Sequence, residues 1–68
     1  MAVYNTIDLE GVSVTSWNDA AREALREASK TIRGITKMDI VGTSLKVKDG
    51  AIHEYRTAVR LYFEVQPR

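Results

Sequence analysis

The chain has 68 residues, with ten basic and nine acidic side chains mixed along its length and a net charge of +1. That balance lacks the single-sign field that draws proteins to nucleic acid or anionic lipid, so neither a nucleic acid nor a membrane is an expected partner. The absence of cysteine removes disulfide staples, thiolate zinc sites and thiol catalysis.

Histidine occurs once, at His53. Any metal would therefore be a hard cation, calcium or magnesium, held by carboxylate and carbonyl oxygens. The length fits a single domain, residues 1–68. A chain this short buries only about 60% of its unfolded surface, which makes self-association the leading stabiliser. Asp8 and Glu10 stand where a secretory signal needs a long apolar run. No stretch approaches the ~20 apolar residues of a membrane span. The expected location is cytoplasmic.

From Val3 to Glu10 the residues alternate, with Val3, Asn5, Ile7 and Leu9 on one face and Tyr4, Thr6, Asp8 and Glu10 on the other. The period predicts a strand with one buried face, ended by Gly11. A short connection over residues 12–15 leads to Ser16, a helix N-cap whose hydroxyl accepts from a first-turn N–H. Asp19 adds negative charge at the positive helix end. Trp17, Ala20, Ala21, Ala24, Leu25, Ala28 and Ile32 then fall on one stripe, which predicts a helix over Trp17–Arg33 capped by a left-handed Gly34. So little side-chain volume on that stripe requires a partner whose backbone comes close. Trp17 reads as a core plug at the helix start.

Beyond Ile35 the strand pattern changes phase, because Met38 and Ile40 are even-numbered while Leu45 and Val47 are odd. One period of two cannot serve both, so a bulge is placed at Val41-Gly42-Thr43-Ser44. Asp49-Gly50 supplies the positive-φ pair of a tight hairpin. The last strand, from Ile52 to Val65, is apolar at Tyr55, Val59, Leu61, Phe63 and Val65 and polar at Glu54, Arg56, Arg60 and Glu64. At about 3.3 Å per residue it reaches ~46 Å, against a radius of gyration of roughly 11 Å for a compact chain of this size. It must curl around its helix or extend into neighbouring subunits.

Three segments carry a resemblance that covers nearly the whole chain: Gly11-Val-Ser-Val-Thr-Ser-Trp-Asn-Asp-Ala-Ala at the helix start, Ala28-Ser-Lys-Thr-Ile-Arg-Gly-Ile35 at its end and Lys48-Asp-Gly-Ala-Ile-His-Glu-Tyr55 around the hairpin. Together they resemble the dodecin family. The resemblance implies an α+β fold in β-α-β-β order, with a three-stranded antiparallel sheet wrapped around one long helix. It further implies a hollow homododecamer with sheets facing inward. Many members hold flavin (FMN, riboflavin or FAD), stacked in pairs between tryptophans with a glutamine at the ring's polar edge. The implied role is storage or sequestration of a small ligand, without catalysis.

The sequence departs from that pattern at the ligand positions. Lys37 matches the stacking tryptophan and Arg56 the glutamine, while Ser44 and Glu64 match phosphate-contacting arginines. Trp17, at the helix start, cannot substitute. The pattern is similar to the subgroup without the flavin pair, for which cation binding is implied. Calcium or magnesium would then be held by copies of Glu54, Asp39 or Glu64 brought together at oligomer axes. The plainer reading makes Lys37 and Arg56 ion-pair partners of Asp39 or Glu54 between subunits, and His53 a solvated side chain. Ser16 and Ser29 lack a neighbouring base or an oxyanion-type loop, so no catalytic constellation is expected.

Overall fold

In the computed structural model, which describes residues 2–65, four elements follow one another: β1 (Tyr4–Ser13), α1 (Trp17–Ser29), β2 (Ile35–Lys48) and β3 (Ala51–Glu64). Met1 and residues 66–68 of the expected 1–68 domain lie outside the described residues. The strands form one antiparallel sheet in the order β1-β3-β2. The β-α-β-β order and the three-stranded antiparallel sheet are those read from the sequence. The Cα trace extends 53 × 20 × 13 Å, with a radius of gyration of 14.1 Å. The length estimate for the last strand therefore points the right way, because the strands run on past the helix.

Helix α1 packs over β1 and β3 and barely touches β2. Its alanines Ala20, Ala21, Ala24 and Ala28 are buried together with Val59 and Leu61 of β3. Ile7, Leu9, Leu25, Ile32, Ile35 and Met38 close the margins of this core. The close approach required by the alanine stripe is made at Gly11. A Cβ there would clash with the Ala20 carbonyl group, lying 2.7 Å from its carbon, and would stand 3.3 Å from the Ala24 methyl.

Gly11 therefore corrects the first strand boundary. It is buried inside β1, paired with Thr57, and the strand runs on to Ser13. The glycine admits the helix and leaves the strand intact. Ser16 caps α1 as expected, its hydroxyl accepting from the Asp19 N–H at 3.0 Å. Asp19 in turn accepts from the Ser13 hydroxyl at 2.8 Å. The helix ends at Ser29, four residues short of the expected Arg33. Lys30 N–H reaches Glu27 O and Thr31 N–H reaches Ala28 O, tightening the last turn before the left-handed Gly34 (φ +77°).

The bulge in β2 lies at Val41, where the register skips between Ile40/Val59 and Gly42/Ala58. It keeps Met38 and Ile40 on the helix side before it, and Leu45 and Val47 on the same side after it. A second skip at Thr36 and a third opposite His53 were not read from the sequence. Asp49 (φ 53°) and Gly50 (φ 77°) make the hairpin turn. Because α1 covers only β1 and β3, the helix side of the β2 edge and of the hairpin arm is left bare: Ile40, Leu45, Val47 and Ile52 are all exposed.

Candidate functional site

The opposite, helix-free face of the sheet collects the polar half of each alternating strand. Register places Asp8 of β1, Arg60 of β3 and Asp39 of β2 in one row, with Thr6, Tyr62 and Lys37 in the next. Arg60 donates to both Asp8 oxygens, from Nε at 2.8 Å and from Nη2 at 3.2 Å. Tyr62 donates its hydroxyl to Asp39 Oδ2 at 2.7 Å. The Lys37 ammonium stands 4.6 Å from the centre of the Tyr62 ring and 3.8 Å from Asp39 Oδ1. Further along β3, Arg56 bonds Glu10 through Nη2 at 2.8 Å and Glu54 through Nη1 at 3.1 Å. The result is a ladder of compensated charges.

These bonds move the titrations in the expected directions. The hydrogen bond from Arg60, helped by its charge, holds the Asp8 carboxyl below the usual carboxylate range. The bond to Asp39 raises the Tyr62 hydroxyl, and Glu10 and Asp8 raise the arginines they pair with. A depressed carboxylate contributes stability above its unfolded pKa and loses that contribution as pH falls through the folded value. The stability difference between the wild type and an Asp8→Asn variant is therefore expected at pH 7 and should begin to shrink below about pH 3.8, the unperturbed value, as pH falls toward the lower folded one. Acid melts of both proteins test this. A gap that does not shrink between pH 7 and pH 2 contradicts it.

The sequence-selected residues fall into two groups. Lys37 and Asp39 meet around Tyr62, whereas Ser44, Glu54 and Arg56 gather six residues away along β3, about 20 Å distant. Glu64 pairs with Tyr4 beyond the first group. One subunit thus does not bring Lys37 and Arg56 together. The ion pairs expected between subunits are made inside one: Lys37 with Asp39, and Arg56 with Glu54 and with Glu10. The β1 partners Asp8 and Glu10, with Tyr62, were legible only as a polar face, because which strand lies beside β3 is not written in the alternation.

Trp17 corrects another expectation. It is 40% exposed in the subunit, donating its indole N–H to Ser44 O at 3.0 Å and meeting Tyr55 edge-to-face at 5.4 Å. It ties the helix start to the hairpin arm and plugs no core. His53 is half-exposed, 4.0 Å from Glu54 Oε1. Among the described residues no group of three or more His, Asp or Glu side chains is poised to hold a metal within one subunit. Among them, too, no helix is long and apolar enough to cross a membrane.

A cleft of about 490 Å³ opens on this face between Tyr4, Thr36, Lys37 and Tyr62. Thr36 sits at the first register skip of β2.

Comparison with known proteins gives one family. The Dodecin family model matches residues 3–66. The protein called calcium dodecin of Mycobacterium tuberculosis (strain ATCC 25618 / H37Rv) is 31% identical over 67 residues, covering 98% of this chain and 94% of its own. A crystal structure of that calcium dodecin, described as having a novel calcium-binding site, superposes with a TM-score of 0.84 at 33% identity, covering 97% of this chain and 94% of its own. The dodecin of Streptomyces coelicolor superposes at 0.92 with 21% identity, over 98% of this chain and 96% of its own. The tt0972 protein of Thermus thermophilus gives 0.92 at 22% identity over the whole of both chains. With a family match over nearly every residue and a relative above 30% identity, the chain belongs to the dodecin family.

Proposed function

We propose that this chain is a non-catalytic, ligand-holding protein that works as a closed homododecamer, and that its ligand is a divalent cation in place of the family's flavin pair. The observation that carries the reading is the state of the two flavin positions. Lys37 offers no flat face, and its ammonium lies over Tyr62. The Arg56 guanidinium is held on two sides by Glu10 and Glu54. A pair of stacked flavins has neither its aromatic wall nor its amide partner. Loss of such a wall costs on the order of 1–3 kcal/mol per stacked ring, or about tenfold in affinity for each 1.4 kcal/mol.

Calcium is supported by the 31%-identical relative that bears its name and by a helix-free face rich in hard oxygen donors. Since no single subunit gathers three carboxylates among the described residues, the ion would take one donor from each of several copies. Glu54, Asp39 and Glu64 are the candidates. Self-assembly is supported by the bare helix side of β2 and the hairpin arm, an apolar surface that further copies of the chain can cover in every subunit at once. With the charged ladder lining the interior, the protein would sequester its ligand in the cytoplasm and leave it chemically unchanged.

A ligand that binds only the folded form must raise the melting temperature. Melting of the metal-stripped protein is expected to rise with calcium, by about 2.7 kcal/mol at a hundredfold excess over Kd, and to stay put with FMN. A rise with FMN and none with calcium or magnesium would reverse the assignment.

A further inference from the structure

Strand β1 ends at Ser13, opposite Tyr55 of β3. Past that pair β2 and β3 continue alone as a two-stranded ribbon, residues 46–54, to the Asp49-Gly50 turn. No third strand sets the angle at which this arm leaves the sheet, and the register skip opposite His53 loosens it further. Two-stranded ribbons differ in twist by ~25°, which over an arm of roughly 10 Å beyond the junction displaces the tip by about 4 Å. Trp17 stands at this junction. Its backbone is anchored, because the buried Thr57 hydroxyl donates to the Trp17 carbonyl at 2.9 Å. Its side chain reaches the arm: the indole N–H donates to Ser44 O at 3.0 Å, and the ring meets Tyr55 edge-to-face at 5.4 Å. Among the described residues it is the one helix side chain that hydrogen-bonds to β2, a strand that α1 otherwise barely touches.

We infer that Trp17 is a positioning residue for assembly: by bonding the Ser44 carbonyl and bracing Tyr55 it sets the angle of the hairpin arm, and with it the fit of Val47 and Ile52 against the next copy. The inference rests on the reading that copies of the chain meet at the arm. A closed symmetric particle repeats one subunit geometry at every contact. An error in the arm angle therefore recurs at each of them and keeps the set from closing, so a single local bond has a large effect on association. The same role accounts for a large aromatic side chain left 40% exposed, which braces the arm from outside the core.

Sedimentation of the full-length wild type and Trp17→Phe over a dilution series tests this, with hydrogen exchange on the same samples. Phenylalanine keeps a ring beside Tyr55 and removes the N–H donated to Ser44. The folded variant is expected to come apart at a concentration about tenfold or more above the wild type. Residues 45–55 should exchange faster relative to Val59 and Leu61 while the particle is still intact. Ile7→Val, which thins the core away from the arm, is the control: it should lower the melting temperature yet dissociate near the wild-type concentration. Tyr55→Leu removes the brace from the arm's side, leaves the helix cap untouched and should reproduce both effects, even where Trp17→Phe fails to fold. Assembly loss in Trp17→Phe and Tyr55→Leu no greater than in Ile7→Val at equal melting temperature, or exchange that rises equally in arm and core, would overturn the inference. A wild-type chain that sediments at 7.6 kDa at every concentration removes the particle itself, whereas a particle indifferent to both variants removes the role of Trp17 alone.

Discussion

A Gly11→Ala protein is expected to lose about 3 kcal/mol of stability or more, and with it the soluble folded form at growth temperature. The added methyl points at the Ala20 carbonyl, which is helix backbone and cannot rotate aside. Overpacking typically costs about 1–3 kcal/mol even where side chains can adjust. Here the whole of α1 must lift off β1, exposing Ala20, Ala21, Ala24 and Ala28 together. A domain of this size has only a few kcal/mol to lose. Gly42→Ala is the matched control, because a Cβ at Gly42 meets nothing within 4 Å in the subunit. Thermal melts of the two variants side by side decide the matter. A Gly11→Ala protein that melts like its Gly42→Ala counterpart would show that the helix does not rest on that glycine.

The second large effect is expected at Val47. It is 61% exposed in the subunit and stands across the hairpin from Ile52, itself 55% exposed. An aspartate at Val47 costs a lone subunit little, since neither water contact nor the sheet bonds are lost. Within an assembly it loses about 2 kcal/mol of apolar burial for each copy and adds the larger penalty of an unpaired buried charge. Sedimentation of Val47→Asp should therefore show the proposed dodecameric particle replaced by single 7.6 kDa chains or unfolded material. Val47→Thr, which keeps the β-branched shape, should retain much of the assembly. An unchanged particle with Val47→Asp would mean that the hairpin arm faces water and that the copies meet elsewhere.

The sequence was most readable where a single local rule decides the outcome. Ser16 as a cap and the Asp49-Gly50 turn each follow from residue types suited to one backbone position, and the phase change around Val41 from the parity of the apolar residues on either side of it. Gly11 was misread because a glycine at a strand's apparent end and a glycine under a crossing helix look alike until the helix is placed over it. The helix end was misjudged for a related reason. Ile32 belongs to the apolar stripe by spacing and does pack against the core, but it does so from a tightened turn beyond Ser29. The charged face was visible as alternation, yet its pairings depend on which strands are neighbours. That is why Arg56 was matched with Glu54 and its shorter contact to Glu10, 46 residues away, was not foreseen. Trp17 lay at the limit of this kind of reading. Its partners, Tyr55 and the Ser44 carbonyl, belong to a hairpin arm whose reach past the helix only the three-dimensional arrangement reveals.

The central position of β3 also governs the order in which the chain can fold. The β2–β3 ladder closes across a two-residue turn and can zip locally, but β1 pairs Tyr4 with Glu64 and Asn5 with Phe63, contacts separated by nearly the full length of the chain. Closing so long a loop is entropically costly and slow. During synthesis the first strand leaves the ribosome with its partner not yet made, and it must wait, edge open, until the last strand emerges to receive it.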